Sequence, residues 1–156
     1  MAAEMKYTEQ WMRTERWFER FKDIDHGKHQ NLPSECFQDD AYAFFINCHQ
    51  LKDWIKNDPL LANVKPKVEA FINANECLQL CADICNGNKH LLLTSCRSQE
   101  NPQFGARHYN VQIGPQEQTI HVKYEINTSS GTMDAFEIAS QCMIAWHNFI
   151  QSEIVL

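Results

Sequence analysis

The sequence predicts a mostly α protein: a four-helix bundle with a β-hairpin inserted between helices three and four. Three observations carry this. Apolar residues recur at helical spacing in three stretches before residue 90. ARHYNVQI and TIHVKYEI then alternate with a period of two, separated by the turn residues GPQEQ. From Phe136 to Gln151 the helical spacing returns.

The first helix is expected from Glu4 to about Asp25, on Trp11, Phe18 and Phe21 among charged residues. Gly27 and Pro33 break it, and Ser34 suits the N-cap of the next helix. That second helix, Glu35 to about Asn57, carries the stripe Ala41, Phe44, Cys48, Leu51 and Ile55 and ends at Asp58-Pro59. The third begins near Pro66 and runs unbroken to Asn86-Gly87, with Ala74, Cys77, Leu78, Cys81, Ile84 and Cys85 inward. HLLLTSC reads as a short strand. The hairpin places Tyr109, Val111 and Ile113 on one side, with Ile120, Val122, Tyr124 and Ile126 on its second strand. NTSSGTMD reads as a loop in which Thr132 or Asp134 caps the last helix, whose buried face is Phe136, Met143, Trp146 and Ile150.

At 156 residues the chain is expected to form one domain, 1–156, with the hairpin insertion at about 107–126. No apolar run approaches the ~20 residues of a membrane span, and MAAEMKYTEQW lacks a secretion-signal layout. A cytoplasmic protein without membrane association is the expectation. Seven cysteines, an odd count without framework spacing, read as reduced thiols. A net charge of −6 argues against a general nucleic-acid coat while leaving room for a local basic patch.

Candidate chemistry gathers at two places. His49 and Asp53 stand one turn apart on the second helix, an imidazole beside a carboxylate. Asp83, Asn86, Lys89 and His90 cluster in DICNGNKHLLL, where a polar ring opening an apolar run needs a partner if buried. Arg97 and Arg107 are the nearby guanidinium candidates. Cys77, Cys81 and Cys85 lie four apart, but three ligands in line on one helix do not converge on one tetrahedral ion without another element, so they read as core and no metal or cofactor is expected. Phosphate-cradling glycine loops, G-x-S-x-G and H-E-x-x-H are absent.

FFINCHQLKDWI followed by DICNGNKHLLL resembles HEPN-like helical domains, in particular bacterial members with an FFxxCxxLKDW helix and a D-x-x-N-G-x-K-H segment. The resemblance covers roughly 38–93 and the closing helix. It implies a four- or five-helix bundle, commonly a homodimer, and in many members a metal-independent ribonuclease of toxin, phage-defence or RNA-processing systems. There a histidine follows an arginine and a polar residue. His90 would be the acid–base group, Asn86 the polar residue, and Lys89 and Asp83 accessory groups. The arginine position falls on Cys85, and a thiol does not replace a guanidinium at a phosphate. The leading expectation is therefore a weakly active or non-catalytic module binding RNA, a nucleotide or a partner protein, with His49, Asp53, Arg97 and Arg107 as binding residues. A ribonuclease using His90 is the first alternative, and a structural adaptor the second.

Overall fold

The structure, a computed structural model, describes residues 3–29, 34–90, 95–113 and 118–155. Its order is α1 (Tyr7–His26), β1 (Lys28–His29), α2 (Ser34–Asn57), a 3-10 turn (Pro59–Leu61), α3 (Lys65–Asn73), α4 (Glu76–His90), β2 (Gln103–Ile113), β3 (Gln118–Thr128), β4 (Gly131–Asp134) and α5 (Ala135–Glu153). The fold is mostly helical with a small antiparallel sheet, as expected in outline. None of the described helices is long and apolar enough to cross a membrane.

The core forms around α2, whose Ala41, Phe44, Phe45, Cys48, Leu51 and Ile55 are completely buried. These positions repeat every three or four residues, so one helix face meets α1 while its flank meets α4. Phe21 and Ile24 of α1, Leu80 of α4 and Trp146 of α5 close the interior. A polar seam joins α1 to α2: the buried Gln10 donates to the Asn47 carbonyl at 2.9 Å, and Thr14 Oγ1 reaches the same carbonyl at 3.3 Å.

The expected third helix is two helices. The chain breaks at Ala74-Asn75, where Asn75 Nδ2 donates to the Phe71 carbonyl at 2.8 Å. An asparagine that bonds back to the preceding turn competes with helix propagation and favours a terminus. Ala74, expected inward, is exposed as a result. The second correction is at Asn86-Gly87: α4 runs through both to His90. An interior glycine costs only about 1 kcal/mol, and α4 is held by packing on α2, α3 and α5. The strand expected in HLLLTSC falls largely on 91–94, outside the described residues.

β3 is the central strand. It pairs with β2 along one edge, and with β1 and β4 at opposite ends of the other. The hairpin is longer than expected, and part of the predicted NTSSGTMD loop is strand β4, turned back at Ser129-Ser130. Both turn serines are fixed to Glu100: the Ser129 amide to its carbonyl at 2.8 Å, and the Ser130 hydroxyl to its carboxylate at 2.8 Å. Asp134, one of the two expected caps, accepts from the Glu137 amide at 3.0 Å and starts α5.

β3 carries most of the sheet's packing on the helices, while β4 touches α5 and the Phe104 ring of β2 lies 4.5 Å from Tyr42 of α2. Val122, Tyr124 and Ile126 are buried, whereas Tyr109 and Val111 of β2 are 48% and 46% exposed. They sit opposite Val122 and Ile120 respectively, so the alternation is as expected but β2 overhangs the core. The Ile113 side chain lies outside the described residues.

Candidate anion-binding site

Asp83 is 1% exposed, on the face of α4 that the sequence pattern places opposite the core. Residues 96–98, before β2, lie against Asp83 on that face. The Asp83 carboxylate accepts from the Arg97 amide at 2.8 Å, the Ser98 amide at 2.8 Å, the Ser98 hydroxyl at 2.5 Å and the Cys96 thiol at 3.2 Å. Four donors saturate a buried carboxylate and supply the compensation its desolvation requires. The acid is thereby a clamp for residues 96–98.

The clamp fixes where Arg97 begins, and its guanidinium reaches across to α3. Arg97 Nη2 stands 3.2 Å from Glu69 Oε2, while Lys56 Nζ of α2 is 2.9 Å and Lys52 Nζ 3.7 Å from Glu69 Oε1. Three cations thus share one carboxylate. Lys52, Lys56 and Arg97 are only 16%, 27% and 29% exposed along their side chains, so the surplus positive charge is partly desolvated. Their attraction, led by the Lys56 hydrogen bond, holds the Glu69 carboxyl below its ordinary range. Arg97 Nη1 is buried and has no hydrogen-bond partner among the described residues.

His49 lies at this cluster. Burial first, then the charges of Lys52 and Arg97, lower its pKa to about 4, against the smaller opposing pull of Asp53 and Glu69. At neutral pH it is an uncharged donor–acceptor beside Lys52 and Arg97. Asp53 acts on it only weakly; it also lines a separate groove with Lys6, Trp54, Asn57, Asp58 and Pro59.

The expected site residues therefore divide. His49 and Arg97, from separate parts of the sequence, are brought together. Arg107 is not; it sits opposite Tyr124 on β2, exposed, where Tyr109 raises its pKa and Glu35 adds to the effect. Asn86 is half-buried on α4. Lys89 and His90 occupy the last turn of α4, but their side chains lie outside the described residues. Lys52, Lys56 and Glu69 were not singled out in sequence. Lys52 and Lys56 form an i,i+4 cationic pair in LKDWIKN, and only the α2–α3 packing brings Glu69 to them.

Comparison with protein-family models, with curated proteins and with solved structures found no match to this chain.

Proposed function

We propose that this chain is a non-catalytic binding module for a phosphate-bearing ligand, RNA or a nucleotide, taken up at Arg97, Lys52 and Lys56 with neutral His49 beside them. The observation that supports the reading is the convergence of three half-buried cations on the single carboxylate of Glu69. A phosphate would take the place of that carboxylate on the guanidinium and the two lysines, the oxyanion geometry for which a guanidinium is preorganised. The whole chain is acidic, at −6, so affinity would rest on this patch and fall steeply with salt. The reading keeps the binding half of the HEPN-like expectation, with the cation supplied by Arg97 in place of the arginine that Cys85 displaces.

Fluorescence anisotropy with a labelled single-stranded RNA, competed by ATP and by inorganic phosphate, tests it. Saturable binding that Arg97→Ala abolishes supports the module. Competition by ATP alone assigns a nucleotide, and its failure assigns the polymer. Cleavage of the probe, lost in His90→Ala, would instead establish the ribonuclease alternative.

A further inference from the structure

Cys48 of α2, Cys81 of α4 and Cys142 of α5 come from three helices far apart in sequence, and their sulfur atoms all lie within 4.8 Å of one another. Each residue is 1% exposed or less. The obstacle seen in the sequence, that cysteines in line on one helix do not surround an ion, is removed here because two further helices each supply a sulfur. Cys77, one turn before Cys81, is in hydrogen-bonding reach of Cys142 and is half-buried. Its partial exposure gives the cluster a way in from solvent.

Two features separate this arrangement from thiols that merely fill space. Sulfurs bound to one zinc at about 2.3 Å stand about 3.8 Å apart, so closing the cluster needs movements below about 1 Å. The indole N–H of Trp146, itself 1% exposed, has no hydrogen-bond partner among the described residues and lies in the neighbourhood of Cys48. An unpartnered N–H beside a sulfur is available as the outer-sphere donor that a metal-bound thiolate uses. In the protein as described, Cys81 Sγ donates to the Phe45 carbonyl at 3.4 Å and Cys142 Sγ to the Cys77 carbonyl at 3.2 Å. The metal-free cluster is therefore a satisfied network, and loading it exchanges those thiol protons, released to solvent, for the ion.

We propose that Cys48, Cys81 and Cys142 form a binding site for a thiophilic divalent cation, zinc first, with Cys77, outside the tight cluster, as the candidate fourth sulfur. Soft thiolate donors select such ions over calcium or magnesium. Three thiolates around Zn2+ leave one net negative charge in the core, which the nearby unpartnered Trp146 N–H would offset. Because the site joins α2, α4 and α5, occupancy would brace α2, which carries His49, Lys52 and Lys56, and α4, which carries the Asp83 clamp, without taking part in the anion site.

The test uses the full chain under a non-thiol reductant, titrated with Zn2+ and with Co2+ as a spectroscopic probe. The expected result is one ion per chain, sulfur-to-cobalt charge-transfer absorption, and protection of Cys77 from alkylation by iodoacetamide. Cys48→Ala and Cys142→Ala should each lose the absorption, whereas Cys36→Ala should keep it. Alanine is chosen because it leaves only a small void, and circular dichroism checks that each variant stays folded. If a variant unfolds, the alkylation protection in the unmodified chain decides by itself. Absence of the charge-transfer bands, or uptake of the ion that survives Cys48→Ala and Cys142→Ala together, overturns the proposal.

Discussion

Asp83 holds Arg97. The Asp83 carboxylate, buried in α4, accepts from the Arg97 amide at 2.8 Å, and so sets the starting point of the one guanidinium that joins Lys52 and Lys56 at Glu69. The acid that the sequence offered as an accessory group to His90 is the anchor of a residue fourteen positions away.

Asp83→Ala should therefore act twice. It orphans two backbone amides, a hydroxyl and a thiol in a buried setting, at an expected cost of about 2–4 kcal/mol in urea unfolding. It should also weaken RNA or nucleotide binding at temperatures where the variant remains folded. Unchanged affinity in a folded Asp83→Ala protein would separate the clamp from the site.

His49 should make stability pH-dependent. Its folded-state pKa, about 4, lies below the ordinary value of 6.5, so the unfolded chain binds the extra proton first. The contribution is complete above pH about 6.5 and is lost as pH falls toward about 4. With screening at this half-buried position it amounts to about 1–3 kcal/mol. Glu69, whose pKa is also lowered, loses its share further into acid. Denaturant titrations at pH 7, 5.5 and 4.5 should show the loss, and His49→Gln should flatten it between pH 7 and 5.5.

Gly27 should resist substitution. It ends α1 at φ 112°, and an added Cβ would lie 2.6 Å from the His121 ring and 2.9 Å from Thr119 Cγ2. The positive φ favours glycine there, and the His121 ring and Thr119 side chain would have to shift to admit a Cβ. Gly27→Ala is expected to lower stability by about 1–3 kcal/mol. Gly131, also at positive φ but with open space around it, should lose about 1 kcal/mol on the same change. Thermal melts of the two variants compare them.

Most of the scaffold was legible because burial follows the helical period on α1, α2 and α5. Phe21, Phe44, Leu51, Ile55, Trp146 and Ile150 are inside, as their spacing requires. Asn86-Gly87 misled because local stop signals weigh about 1 kcal/mol against the packing of a whole helix. Ala74-Asn75 misled in the opposite sense, since the side chain of Asn75 ends a helix that apolar spacing would have continued. Buried Gln10 and Thr14 look like surface residues until Asn47 is brought against them. The anion site was half legible: His49 and Arg97 stand out as residue types, but Glu69 becomes their neighbour only through the packing of α3. The thiol cluster was legible only along α4, because Cys48 and Cys142 join it from helices 33 and 61 residues away from Cys81.

The most direct test of the account is the sign of a single substitution. Glu69 competes with the ligand for all three cations, so Glu69→Gln should tighten binding of a labelled single-stranded RNA or nucleotide by about 3- to 10-fold at low salt, corresponding to about 1 kcal/mol. It should also steepen the salt dependence, while Arg97→Ala abolishes binding. Unchanged or weakened binding in a folded Glu69→Gln protein, with Arg97→Ala equally without effect, would contradict an anion site at this cluster.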